Sequence, residues 1–326
     1  MKPILKISDV SVVFHTFEGE IKALDRLGFE VFPGETLGIV GESGCGKSVA
    51  SLAILRLIPT PPGEITTGRI EYRGINILAL PPPEMRAVRG QKISMIFQEP
   101  MTSLSPVFTV GEQISEVYRQ HRKIARREAM EQSIEMLKKV NIPEPSKASR
   151  SYPHEMSGGM RQRAMIAMAL ACKPELLIAD EPTTALDVTI QAQVIDLIKD
   201  LQQEMGMSVI FITHDLGVVA NTAKRVLVMY MGRVVEEAAA TEIFGAPLHP
   251  YTRGLMESIP RMGEKLRGAK QPLKEIKGVV PSLLKLPVGC KFSDRCGHVM
   301  EICLQREPDL SVVEKDHHCR CWLHSA

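Results

Sequence analysis

The stretch GESGCGKS, Gly41–Ser48, decides how the rest of the chain reads. The short apolar run TLGIV, residues 36–40, precedes it, and a helical run, KSVASLAILRLI, opens at Lys47. Glycines at 41, 44 and 46 let backbone N–H groups approach anionic oxygens closely, and a helix N-terminus adds partial positive charge. Gly-x-x-x-x-Gly-Lys-Ser between a strand and a helix is the phosphate-cradling pattern. In it Lys47 reaches the outer phosphates and Ser48 binds Mg²⁺. A plain glycine-rich turn would not need every position of the pattern. Cys45 occupies a free position and reads as a tolerated small residue rather than a catalytic thiol.

A phosphate loop by itself suits a kinase, a GTPase or a motor, so the other motifs must choose. In LLIADEP, residues 176–182, an apolar run ends on two carboxylates. Asp180 is expected to hold Mg²⁺, and Glu181 to orient and polarise an attacking water. Taken alone the pair would read as solvated acids at a strand end. In MSGGMRQR, residues 156–163, Ser157, Gly158 and Gly159 stand at the start of a helical run. A hydroxyl and free N–H groups at a helix N-terminus again suit an anion. The bland alternative is an N-cap with two glycines. The chain thus carries two anion-binding devices and one lysine-bearing loop.

The 326 residues favour about two domains. With 40 basic against 38 acidic residues, the net charge of +2 does not demand a nucleic-acid partner. No run of about 18 apolar residues offers a membrane span, and MKPILKISDV lacks the pattern of a secretory signal. The reading expects a cytosolic chain, or one held at a membrane through partners. In that setting the seven cysteines are not expected to form stable disulfides. Strand-like runs such as ILKISDVSVVF, GRIEYRG, KISMIFQ, SVIFIT and RVLVMY alternate with helical ones. Residues from about 110 to 140 read as a helical stretch. The pattern predicts an α/β domain with a helical insertion, followed by a loop-rich section from about Pro250.

GESGCGKS, MSGGMRQR and LLIADEPTTALD, in this order, resemble the nucleotide-binding subunit of an ABC transporter, from about residue 4 to 260. The resemblance implies an α/β P-loop fold: a RecA-like core, an antiparallel β subdomain and a helical subdomain at about 99–170, all within 1–250. A small Cys-rich extension, 251–326, follows. It also implies that two cassettes pack head to tail. Each ATP then lies between one cassette's loop (Gly41, Glu42, Ser43, Gly44, Cys45, Gly46, Lys47, Ser48, Val49) and the other's Arg150, Ser157, Gly158, Gly159 and Met160. By the same resemblance Gln98, in IFQEP, touches Mg²⁺ and water and signals to membrane subunits. Asp187 lies in the loop crossing the dimer interface, His214 contacts the γ-phosphate, and Phe17, with Phe14 as fallback, stacks on adenine. Mg²⁺ is held through Ser48, Gln98 and Asp180. The signature reads Met-Ser-Gly-Gly-Met where many members have Leu-Ser-Gly-Gly-Gln; the Ser-Gly-Gly core remains.

GIVGESGCGKS, FQEPMTSLSPVFTVGEQISE and APLHPYTRGLMESIP are similar to the ATPase subunits of dipeptide and oligopeptide importers, a group that includes nickel importers. The tail holds Cys290, Cys296, Cys303, Cys319 and Cys321. Four thiolates in a compact segment suit [4Fe–4S] or zinc. No Cys-x-x-Cys knuckle occurs, and the resemblance favours an iron–sulfur site on Cys290, Cys296, Cys303 and Cys321, with Cys319 as the alternate. Five reduced thiols packing a small domain is the competing reading. His317 and His318 are expected to be solvated rather than zinc ligands. The implied protein is an ATP-hydrolysing subunit for peptide import, peripheral on the cytoplasmic side of the membrane. Its implied partners are a second ATPase chain, two permeases and, through the complex, a solute-binding protein. A nickel importer, a soluble ABC ATPase of DNA repair or translation, and a regulatory module without hydrolysis are the alternatives.

Overall fold

The computed structural model describes residues 1–98, 103–184, 186–258 and 276–324. The first residues of the expected helical subdomain (99–102), Ala185 in the 176–187 stretch, and 259–275 and 325–326 of the expected extension lie outside the described residues. In chain order the strands are β1 (Leu5–Thr16), β2 (Gly19–Val31), β3 (Thr36–Val40), β4 (Gly63–Tyr72), β5 (Ile75–Asn76), β6 (Ile93–Ile96), β7 (Leu176–Asp180), β8 (Ser208–Ile212), β9 (Arg225–Tyr230), β10 (Arg233–Ala239), β11 (Ser311–Glu314) and β12 (His317–Cys319). The described α-helices are α1 (Lys47–Ile54), α2 (Pro82–Val88), α3 (Val110–Arg122), α4 (Arg126–Lys139), α5 (Pro145–Ala148), α6 (Gly158–Leu170), α7 (Val188–Met205), α8 (Leu216–Thr222), α9 (Ala240–Gly245), α10 (Pro250–Glu257) and α11 (Glu301–Gln305). No helix among the described residues is long and apolar enough to cross a membrane.

The chain divides into two compact units. The first comprises Met1–Leu5, Val31–Thr36 and Tyr72–Ile212. In it β6, β7 and β8 run parallel, with Ile93 opposite Leu176 and Leu176 opposite Ser208. Every residue of β7 and β8 is buried, so these strands are apolar throughout rather than alternating. Two helices of the insertion, α3 and α6, start on side-chain caps, Thr109 and Ser157. Thr109 accepts the Glu112 N–H at 3.3 Å while the Glu112 carboxylate accepts the Thr109 N–H at 3.2 Å, a reciprocal pair that fixes the start of α3. The sequence pattern predicts one helical stretch over 110–140. The structure breaks it at Lys123, which adopts a left-handed conformation (φ 55°) that ends α3.

The second unit comprises Lys6–Glu30, Leu37–Glu71 and Thr213–Ala326. Strands β2, β1 and β4 are neighbours in that order. In a separate sheet β3 lies parallel to β9, and β9 and β10 form a hairpin. Met231 and Gly232, both with positive φ, make its two-residue turn, the geometry that matches strand twist. Helix α1 stops at Ile54, short of the expected Ile58, and Arg56 turns left-handed. Val226, Val228, Tyr230, Tyr251 and Phe292 form one buried cluster in this unit.

The tail is more ordered than its composition suggests. Strands β11 and β12 pair with each other, and β12 pairs with β10, Glu236 facing Cys319. His317 is buried, not solvated as expected, and its Nε2 lies 2.8 Å from a Glu236 carboxylate oxygen. That carboxylate also accepts the N–H groups of Leu248 and His249 at 2.7 and 2.9 Å. His249 itself caps α10, its Nδ1 accepting the Tyr251 N–H at 3.0 Å.

Burial, helped by the neighbouring His324, pushes His249 down to about 3 from an ordinary 6.5. Between those values the unfolded chain binds the extra proton, so this group's stabilisation is lost as pH falls through the window. From pH 7 to about pH 5 the expected loss is roughly 2 kcal/mol. Urea midpoints at the two pH values check it, and His249→Asn, which keeps a capping oxygen, should flatten the slope.

Candidate functional site

The phosphate-pattern loop lies in the second unit. Gly41 has φ 154°, and a Cβ there would come 2.3 Å from the Met229 carbonyl oxygen, so only glycine fits. Lys47 is buried, and its Nζ donates back across the loop to the carbonyls of Gly41 (2.7 Å) and Glu42 (3.0 Å). The ammonium is therefore held at the loop. Burial pushes the Cys45 thiol up. Gly44, with φ 78°, has open space where a side chain would stand. Phe17 sits between β1 and β2 and is fully exposed; Phe14 is half-buried. His214 is exposed, directly before the Asp215 cap of α8.

The carboxylate pair lies in the first unit. Asp180 ends β7 and is 3% exposed. Glu181 follows in a left-handed conformation (φ 46°). Its N–H donates to the Ile212 carbonyl at 2.8 Å. Its carboxylate accepts from Gln98 Nε2 and from Thr184 Oγ1, each at 3.0 Å. Two residues 83 apart in sequence, singled out for separate reasons, therefore touch. Thr184 was not singled out; a threonine after Asp-Glu-Pro carries no periodic signal.

The serine-glycine element begins α6 in the first unit. Ser157 is the N-cap, its Oγ accepting the Met160 N–H at 3.3 Å, with Gly158 and Gly159 forming the first turn. Arg150 is exposed upstream of it. Gln162 reaches from α6 to the Pro182 carbonyl at 2.5 Å, tying the element to the chain beyond Glu181. Asp187 is exposed and caps α7, accepting the Ile190 N–H at 3.0 Å.

Cys290, Cys296, Cys303 and Cys321 line one small cavity in the second unit, with His249 and His298. Cys319 does not line it; its thiol hydrogen-bonds Cys321, which holds Cys321 down to about 7 and pushes Cys319 up. Burial pushes Cys290 up to about 11. Among the described residues no three or more His, Cys, Asp or Glu side chains stand as a metal-holding group. Four of the expected thiols thus line one cavity and Cys319 does not, without a metal-holding arrangement among the described residues.

The family model "ABC transporter" matches residues 24–184, and "Oligopeptide/dipeptide transporter, C-terminal region" matches residues 235–303. A cassette solved as a dimer in a post-hydrolysis state, bound to ADP and Pi, superposes with a TM-score of 0.65 at 29% identity over 72% of this chain and 98% of that one. The chain belongs to the ATP-binding subunits of ABC transporters, with their P-loop α/β fold, and it is an ATPase of that family. Within it the relatives are peptide transporters. A probable peptide ABC transporter ATP-binding protein of Sinorhizobium fredii is 54% identical over 98% of this chain and 94% of its own length. The oligopeptide transport ATP-binding protein OppD and the dipeptide transport ATP-binding protein DppD, both of Bacillus subtilis, are 50% and 47% identical, over 98% and 99% of this chain and 88% and 95% of their own.

Proposed function

We propose that the chain hydrolyses ATP to drive import of dipeptides or oligopeptides through membrane permeases, acting peripherally on the cytoplasmic side. The observation that carries the hydrolytic reading is Glu181, held left-handed with its carboxylate on Gln98 and Thr184. On this reading Lys47 and the amides of Gly41–Val49 bind the phosphates, and Phe17 stacks on the base. Glu181 orients a water and accepts its proton, while His214 contacts the γ-phosphate. Catalysis of this kind is positioning plus electrostatics. Ser48, Asp180 and Gln98 offer hydroxyl, carboxylate and amide oxygens, a donor set suited to Mg²⁺, which when bound would offset phosphate charge.

A partner cassette would supply its own Ser-Gly-Gly element across the nucleotide, with Arg150, Ser157, Gly158, Gly159 and Met160 of this chain doing the same for the partner, and Asp187 at the shared face. A related chain is the expected mate, alongside two permeases and a solute-binding protein; nucleic acid has no part. The helical subdomain at 99–170, within the 1–250 cassette, would pass closure to the permeases through Gln98. In the 251–326 extension, the shared cavity supports a thiolate metal site on Cys290, Cys296, Cys303 and Cys321; the family resemblance favours [4Fe–4S], with zinc as the alternative. Absorption of anaerobically purified protein tests it: a spectrum without a cluster band removes the site.

For the nucleotide site, Lys47→Ala is expected to weaken ATP binding by about 100-fold, from loss of the charge-assisted contact in a partly dry loop. Titration of the purified subunit with Mg-ATP measures it, and unchanged affinity sinks the assignment. Uptake by the reconstituted complex, peptides against Ni²⁺, tests the cargo.

A further inference from the structure

Glu42 poses a problem for a phosphate loop. It places a carboxylate beside the position of a triphosphate, where like charges repel. The structure shows where that charge goes. Arg295 meets the carboxylate with both arms of its guanidinium, Nη1 2.6 Å from one oxygen and Nη2 3.0 Å from the other. The Arg295 side chain is 4% exposed. Its position is fixed on both sides. Nε donates to the Lys277 carbonyl at 3.2 Å, and the guanidinium lies about 6 Å from the Tyr230 and Phe292 ring centroids.

The backbone of Glu42 is held as well. Its N–H donates to the Tyr251 hydroxyl at 2.8 Å, and its carbonyl accepts from Lys47. Tyr251 is fully buried against Tyr230 and Phe292, with ring centroids 4.6 and 5.4 Å away. Every polar group of this loop residue therefore has a partner, and two of the three come from the tail.

We propose that Arg295 and Tyr251 are positioning residues for ATP binding: the extension clamps the start of the phosphate loop and neutralises Glu42, so that the loop presents a net attractive face to the triphosphate. The inference rests on the reading of Gly41–Ser48 as the ATP site. Removal of Arg295 leaves an unpaired carboxylate at the loop, and removal of both charges relieves it. That sign pattern separates an electrostatic clamp from a merely structural contact.

The test titrates the full-length subunit with Mg-ATP. Arg295→Gln is expected to raise Kd about tenfold, more at low than at high salt. Arg295→Gln with Glu42→Gln is expected to recover affinity to within about threefold of the unsubstituted protein. An unchanged Kd in Arg295→Gln, or no recovery in the double variant, overturns the proposal. Should Arg295→Gln not accumulate folded, Tyr251→Phe probes the same clamp by removing one hydroxyl. Its Kd is expected to rise about threefold, and no rise overturns the proposal. Lys47→Ala separates the two failures. If it binds ATP normally, the site reading itself falls; if it fails to bind while Arg295→Gln binds normally, only the clamp falls.

Discussion

Glu181→Gln is expected to leave ATP affinity within about twofold and to slow turnover by roughly 100- to 10,000-fold, the range associated with a positioned general base. The substitution is nearly isosteric. A glutamine oxygen at the same place still accepts from Gln98 and Thr184, which now sit 3.0 Å away. The left-handed backbone and its bond to Ile212 do not depend on the charge. What is lost is the ability to take a proton from water. Phosphate release and nucleotide binding, measured on the same preparation, separate the two effects. Near-normal hydrolysis removes Glu181 from its role. The same variant, loaded with ATP and mixed with its proper mate, should form a stable pair. Strictly monomeric behaviour would count against a nucleotide shared between cassettes.

Arg233→Ala is expected to destabilise the fold by about 3–5 kcal/mol, because it breaks a buried ion pair from one side. Arg233 and Asp25 side chains are each 6% exposed. Arg233 donates twice to one Asp25 oxygen, at 2.8 and 2.5 Å, and Lys22 lies 2.5 Å from the other. Burial works against the Asp25 charge, but Lys22 and Arg233 outweigh it and hold the carboxyl below its ordinary range. With Arg233 gone, burial acts with one cation fewer to oppose it. Arg233 also lies 3.4 Å from Glu307 of the tail, so a second acid loses a partner. A lower urea midpoint at constant slope measures the loss. Arg233→Lys keeps the charge without the fork and should lose markedly less. A midpoint unchanged in Arg233→Ala would show that the pair contributes nothing net.

The nucleotide machinery was legible because its chemistry demands fixed residue types at fixed spacing. Gly41 must be glycine to clear Met229, and Ser157 caps α6 through a small side chain whose oxygen accepts a backbone N–H. Gln98 was readable only through resemblance, yet its contact with Glu181 gives it a physical reason. The break at Lys123 was hidden, since lysine signals neither turn nor cap by type. The tail was least legible. Strands β11 and β12 are four and three residues long, too short for alternation to register. The burial of His317 depends on Glu236, 81 residues away, which no local pattern announces. Glu42 and Arg295 are 253 residues apart, and neither one's local sequence signals the pairing.

The short β11–β12 hairpin has a bearing on solubility. Open strand edges invite pairing with other chains. Strand β10 would present such an edge at Val234 and Val235, but Arg320 donates its N–H to the Val235 carbonyl and its Nε to that of Val234. That border is thereby covered, and the outermost of the described strands, β11, offers only Ser311–Glu314, ending on an acid. A chain cut before Ser311 should therefore aggregate as concentration rises, in a way that no loss of nucleotide affinity would explain.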